Sequence, residues 1–372
     1  MADLLKDLYN QSFIDNLIQE LKQITQIDEN RFLENTIKNQ TWVNLELKQR
    51  MRQISTAISV ELEYNYQDNN YSNNVNVIKE YIKLLLGKEK GKMEFLYMFL
   101  PNYIEDYGID DFENSMNAIE IITQFTSCEF AIRPFIIKYP KTLEYMVEWS
   151  KHKNAMVRRL ASEGSRPRLP WGIALQEFKK NPTPLLEILE NLINDENEVV
   201  RRSVANNLND ICKDNPNIAI EFGKKWVNNS EYANKVIRHG LRTLLKSGNQ
   251  QALSLFGLQH NQNYEISNFN VKETVINLGG KVEFEFTITN KSTVQSVYRL
   301  EYVIYYKKSN GRNNPKVFQI GEYYLSPNET QSYYKYQWLK DFTTRKHYAG
   351  EHKICIKVNG LETDSILFNL CI

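Results

Sequence analysis

The sequence predicts two architectures in series, an all-α repeat solenoid over residues 1–260 and an all-β sandwich over residues 261–372. Three observations predict it. Apolar residues recur at three-to-four spacing through the first part, and a short arginine-bearing motif returns at intervals proper to stacked helix pairs. At Asn261 the pattern then changes abruptly to short alternating runs cut by turn signals. A chain of 372 residues is also too long for one ordinary core.

Within residues 3–26, Leu4, Leu5, Leu8, Tyr9, Phe13, Ile14, Leu17, Ile18, Leu21 and Ile24 recur at three-to-four spacing and read as helices, as do Leu45 to Val60 and Val75 to Leu86. Residues 61–74, rich in Asn, Asp and Tyr, read as a connection. Phe95 to Pro101 and Asp110 to Phe112 lead into a long helix expected from Met116 to about Arg133. There Glu129 and Arg133 would stand at i, i+4. A carboxylate among such apolar neighbours is expected either to be desolvated beside a partner or to face a cleft.

From about residue 141 a repeat emerges. Asn154-Ala155-Met156-Val157-Arg158-Arg159-Leu160 is echoed about 43 residues later around Arg201-Arg202-Ser203-Val204, and about 36 residues after that around Arg238-His239. Such periods belong to HEAT-type helix pairs, so the all-α part is expected to be a HEAT-like repeat solenoid. In register, Arg158/Arg159, Arg201/Arg202 and Arg238/Arg242 would line one concave surface suited to a phosphate backbone. In the first unit the helix over 155–163 stops at Gly164 and Pro167, which places Arg159 and Glu163 at i, i+4. Arg166-Pro167-Arg168-Leu169-Pro170-Trp171 follows, and its two prolines restrict the backbone that presents the indole. A fixed carboxylate, a fixed aromatic face and several guanidiniums fit a cation held on a polyanion, a description that alkylated bases in DNA meet.

The β part reads as about seven short strands, around 269–272, 281–288, 302–306, 317–320, 332–338, 352–358 and 365–370. Gly279-Gly280, Asn310-Gly311, Ser326-Pro327-Asn328 and Asn359-Gly360 separate them. That count in about 110 residues predicts an immunoglobulin-like sandwich.

The net charge of +1 hides an asymmetry. Residues 1–150 carry 15 basic and 23 acidic side chains, whereas residues 151–261 carry 17 and 11, so the basic charge gathers where the repeat arginines stand. Cys128, Cys212, Cys355 and Cys371 are far apart, with no C-x-x-C pair and no histidine at ligand spacing, which argues against a structural zinc or a disulfide framework. No run of eighteen apolar residues and no signal-peptide pattern is present, and a cytoplasmic location without membrane attachment is the expectation.

The chain resembles the HEAT-like-repeat DNA glycosylases for alkylated bases, in particular the AlkC branch with its C-terminal immunoglobulin-like domain. The likeness is carried by Leu45 to Arg52, Tyr97 to Pro101, Ser127 to Phe135, Arg158 to Trp171, Arg201 to Asp210, Thr343-Thr344-Arg345 and Gly350-Glu351-His352; Arg158 to Trp171 is the most specific. It implies hydrolytic excision of 3-methyladenine and 3-methylcytosine from double-stranded DNA by a monomer that uses neither metal nor cofactor. By motif match, Glu163, Glu129 and Trp171 would be catalytic. Arg158, Arg159, Arg166, Arg168, Arg201, Arg202, Arg238 and Arg345 would bind DNA. Cys128, beside Glu129, departs from the family pattern.

Plainer readings stand beside these. Glu163 would merely bridge Arg159, Trp171 would plug the next repeat, Glu129 would brace Arg133 inside the bundle, and the arginine pairs would be solvated faces. Asn206 and Asp210 are expected to hydrogen-bond between repeats. The alternative function is a non-catalytic helical-repeat scaffold that binds DNA.

Overall fold

The computed structural model describes residues 5–66, 71–86, 94–259, 263–342 and 346–372. Packing divides the chain into two compact units, Met1–Phe222 with Asn228–Gly240, and Gly223–Val227 with Leu241–Ile372. Among the described residues no helix is long and apolar enough to cross a membrane.

The first unit is helical. It opens with α1 (Gln11–Leu21), α2 (Glu29–Glu34), α3 (Leu47–Tyr66), α4 (Tyr71–Leu86) and α5 (Phe99–Tyr107). Asn10 and Asp28 cap α1 and α2 through their side chains, and Ile14, Leu17, Ile18 and Leu21 bury the predicted stripe. The connection expected over 61–74 is much shorter, because α3 runs on to Tyr66 and α4 begins at Tyr71. Glu61 explains the extension: it is fully buried in α3, where both its oxygens meet the Arg31 guanidinium at 2.7 Å.

The long helix expected to Arg133 does not form. Instead α6 (Phe112–Ile122) ends, a turn follows, and α7 (Ile132–Lys138) begins. Pro134 decides this, since its ring in a helix interior would clash with the carbonyl of residue 130; at the first turn of α7 its missing N–H costs nothing. Glu129 thereby leaves a helix face and enters a turn.

Helices α8 (Thr142–Trp149), α9 (Ala155–Gly164), α10 (Gln176–Lys180), α11 (Leu186–Leu192), α12 (Glu198–Asp214), α13 (Pro216–Trp226) and α14 (Glu231–Gly240) follow. Pairs α8/α9 and α11/α12 pack in succession, α9 lies on α12, and α12 on α14. The repeated motif has a structural basis. Asn154 and Asn197 cap α9 and α12 by accepting from the N–H groups of Met156 and Val199. Four residues on, Arg158 donates back to the carbonyls of His152 and Lys153, as Arg201 does to those of Asp195 and Glu196.

The second unit contains α15 (Arg242–Ser247), α16 (Gln250–Ser254) and eight strands, among the described residues: β1 (Tyr264–Val271), β2 (Val275–Asn277), β3 (Lys281–Asn290), β4 (Ser296–Lys307), β5 (Asn313–Leu325), β6 (Thr330–Trp338), β7 (Gly350–Val358) and β8 (Leu361–Cys371). The sequence reading missed only the three-residue β2. One sheet has the order β1-β3-β6, the other β2-β8-β7-β4-β5. Phe284, Phe286, Tyr298, Leu300, Ile356 and Phe368 fill the core that the sheets share. The helical segment is fastened to the strands of this unit: Gly248, left-handed at φ 83°, leaves no room for a Cβ, which would meet the Gly360 carbonyl oxygen at 2.8 Å, and the Lys357 ammonium donates to the Lys246 carbonyl at 2.8 Å.

Candidate active site

Helix α9 carries Glu163 at its C-terminal end, and it reaches its neighbours because Gly164 has no side chain. A Cβ there would meet Ile132 of α7 at 2.7 Å. At i, i+4 Arg159 and Glu163 are neighbours in sequence geometry, yet the predicted pair does not form. Glu163, nearly buried, binds the guanidinium of Arg166 through Oε1 at 2.6 Å. Arg159 turns instead to the α6–α7 turn, where Nη2 lies 3.4 Å from Glu129 Oε1 and Nη1 donates to Ser127 Oγ at 3.2 Å. The predicted Glu129–Arg133 pair is absent too: the helix does not continue through both residues, and Arg133 donates instead to the Gly164 and Ile173 carbonyls.

Two carboxylates therefore occupy different settings. Glu163 belongs to a buried cluster: Arg166 also binds Asp210 at 2.9 Å, Asp210 takes Lys213 at 2.9 Å, and Arg133 stands near enough to feel Glu163, Asp210 and Arg166. Burial first, and Arg166 second, lower the pKa of Arg133 to about 10. Burial also works against the charge of Arg166, but Glu163 and Asp210 outweigh it and hold its pKa above the ordinary value. Asp210 thus makes the inter-repeat bond expected of it. Glu129, by contrast, keeps one oxygen, Oε2, buried and without a partner among the described residues. An unsatisfied buried carboxylate oxygen is costly, and it marks the place where a water or a substrate atom would be stabilised. Cys128 beside it is fully buried, and burial together with Glu129 raises its thiol pKa well above the usual range, so it offers no thiolate.

Trp171 plugs no repeat. Its side chain is 89% exposed, and its backbone is left-handed at φ 65°, an unusual conformation for a bulky residue. The turn around it is fastened at four of its carbonyls. Gly172 N–H donates to Leu169 O, Leu175 N–H to Pro167 O, the Lys48 ammonium to Trp171 O at 3.1 Å, and Arg133 Nε to Ile173 O at 2.5 Å. Trp171 and Phe130 line a cleft of about 360 Å³ with Lys48, Arg52, Met98 and Glu105. Burial, opposed by Arg52, raises the Glu105 carboxyl above its ordinary pKa. Met98 also lines a second cleft of about 400 Å³, which holds Arg159 and Ser127. The segment bearing Glu129 contributes Phe130 to the first cleft and Ser127 to the second.

The arginines expected to bind phosphate fall into two groups. Arg158 is engaged bidentately by Asp195, Arg166 is buried in the cluster above, and Arg201 bonds to loop carbonyls and lies 3.9 Å from the Tyr232 ring centroid. Their recurrence is explained by the folding of the helix starts. Arg168 pairs with Asp214 and Arg202 with Glu198 at the surface, where such pairs are weak and a phosphate can replace the carboxylate. Arg202 lines a groove of about 640 Å³ with Arg201, Lys235 and His239, while Arg238 is half-buried on α14. Arg345 lies outside the described residues. Among the described residues no group of His, Cys, Asp and Glu could hold a metal. Sequence reasoning missed Lys48, Phe130 and Met98 as site residues, although all three lie within the segments that carry the family likeness, because no local pattern singles them out.

A family model described as "DNA alkylation repair enzyme" matches residues 112–244, and one described as the C-terminal Ig-like domain of the uncharacterised protein YhaZ matches residues 265–372. The chain is 39% identical to the uncharacterized protein YhaZ of Bacillus subtilis (strain 168), with all of both chains covered. It is 34% identical to the Pseudomonas fluorescens alkylpurine DNA glycosylase AlkC, solved bound to DNA containing an abasic site analog, with a TM-score of 0.91 over the whole of both chains.

Proposed function

We propose that this chain, which belongs to the AlkC-type family of DNA alkylation repair enzymes, is a monofunctional DNA glycosylase that hydrolyses the N-glycosidic bond of cationic alkylated bases, 3-methyladenine and 3-methylcytosine, in double-stranded DNA. The observation that carries this reading is Glu129, a carboxylate held on one oxygen by Arg159 and buried without a partner among the described residues on the other, in a turn whose Phe130 shares a cleft with an exposed tryptophan.

A cationic methylated base leaves with the electron pair of the C1′–N bond and becomes neutral, so no acid need protonate it. Positive charge rises on the deoxyribose. Glu129 stabilises that charge and takes the proton of the water that adds to C1′. Glu163 acts through the cluster it shares with Arg166 and Asp210, which fixes the end of α9. Trp171 offers a ring face to the cationic nucleotide, worth up to about 2 kcal/mol once desolvated. Arg168, Arg202 and Lys235 take phosphates, and the repeats present them along one concave face.

Release of free methylated base from alkylated duplex, identified by mass spectrometry, is the test. Glu129→Gln is expected to slow release by ~100-fold, roughly 3 kcal/mol, with duplex affinity retained. Unchanged release would remove Glu129 from the mechanism, and lesion-independent binding without any release would leave only a DNA-binding scaffold.

A further inference from the structure

Trp171 sits in a backbone conformation that its own side chain does nothing to favour. A left-handed conformation is unfavourable for a residue with a large side chain, and it persists only where its surroundings over-determine it. Two cations from distant parts of the chain do so. The Lys48 ammonium, on α3 and 123 residues away in sequence, donates to Trp171 O, and Arg133 on α7, fully buried, donates from Nε to Ile173 O. Both also grip the elements that carry the carboxylates. Arg133 Nη1 donates to Gly164 O at 2.8 Å, at the residue after Glu163, and Lys48 Nζ lies 4.3 Å from the centroid of Phe130, the residue after Glu129. Gly172 makes the approach of Arg133 possible, since a Cβ there would come within 3.3 Å of the arginine Cδ and Nε.

We infer that Lys48 and Arg133 form a two-point backbone clamp that holds Trp171 in register with Glu129 and Glu163. Lys48 is its exposed, adjustable half. The clamp rests on the glycosylase reading for its consequence in rate, but its geometry is measurable without any reaction. Lys48 is thus a positioning residue: it acts on the reacting nucleotide through Trp171 and touches no reacting atom.

The full-length protein is labelled with 5-fluorotryptophan, which gives one fluorine resonance for each of its five tryptophans. Loss of one line in Trp171→Phe assigns Trp171. In Lys48→Met, which keeps the aliphatic stem on Phe130 and removes the donor, the Trp171 line is expected to move or broaden while the other four stay. Single-turnover base release at saturating enzyme falls about 10-fold, the melting temperature is unchanged, and Lys48→Arg, which can still reach the carbonyl, restores line and rate. A Trp171 line that does not respond to Lys48→Met overturns the clamp. So does a defect confined to DNA affinity with a shallower salt dependence, because that is the signature of a lost phosphate contact. If the wild-type protein releases no base, the proposed activity fails, and the fluorine spectrum alone decides the clamp.

Discussion

Asn359 in the sandwich and Trp171 in the helical unit share a left-handed backbone, at φ 47° and 65°, for opposite reasons. Asn359 and Gly360 form a two-residue hairpin loop between β7 and β8, a place where the strand twist calls for that conformation. The buried side chain of Asn359 then ties the loop in, accepting from Arg299 N–H at 2.8 Å and donating to Gln259 O at 3.0 Å. Trp171 has no such local logic. Its ring is exposed, and its backbone is held by groups recruited from α3 and α7. Strain that stabilises the fold is satisfied by its own side chain; strain kept for use is imposed from elsewhere and leaves the side chain uncommitted.

The largest expected effect that sharpens this contrast is on stability. Asn359→Ala forfeits the side-chain hydrogen bonds and puts an unsuitable residue at positive φ, so unfolding should become easier by about 2 kcal/mol, with base release by the folded fraction unchanged. Thermal unfolding followed by an excision assay on the same preparation checks it. Trp171→Gly should do the reverse. Release slows by roughly 10-fold as the ring face is lost, while stability holds or rises by about 0.5–1 kcal/mol because glycine relieves the backbone. If Trp171→Gly instead unfolds the protein, the residue is a structural plug and the contrast collapses. A smaller effect is expected of Gly172→Ala. The added methyl must push Arg133 or Leu169 by a few tenths of an ångström, and a loss of a few-fold in rate with little change in melting temperature would show that the turn, and not the fold, depends on that approach.

The mildest test is pH. His352 is fully buried against Phe368, accepts from Lys307 N–H through Nδ1 and stands 3.1 Å from Tyr348 O through Nε2, an arrangement that suits the neutral ring. Burial, foremost, lowers its pKa below the ordinary 6.5. As pH falls below that value the unfolded chain takes up a proton that the folded chain refuses, so the sandwich loses stability on acidification and regains it on return. His352→Gln should flatten this part of the stability profile. No change in slope between wild type and variant would assign the acid sensitivity to another group.

The same contrast explains what could be read in advance. The sandwich turns are legible because Gly279, Gly311, Asn328 and Asn359 each carry their conformation in their own chemistry, and the strands alternate as a half-buried sheet requires. The helix over 155–163 is legible for the same reason, through Gly164 and Pro167 at its end. The site is not. Arg159 stands one turn from Glu163 along the helix, but its partner is settled by the α6–α7 turn approaching from elsewhere, and the long apolar run ahead of Pro134 reads as continuous helix where the chain turns. Arg158 and Arg201 recur because each closes the loop before its helix, a function that mimics a phosphate-binding stripe in sequence. Lys48, which reaches the site from 123 residues away, has no local signature at all.

The close approach of Gly248 to Gly360 has a bearing on portability. Composition changes at residue 261, yet the hairpin of Asn359 and Gly360 rests on residues 246–259, so the sandwich brings its own helical footing with it. Moving this domain onto another helical partner means carrying the chain from about Leu241, and a graft cut at the composition boundary would leave the hairpin without its seat.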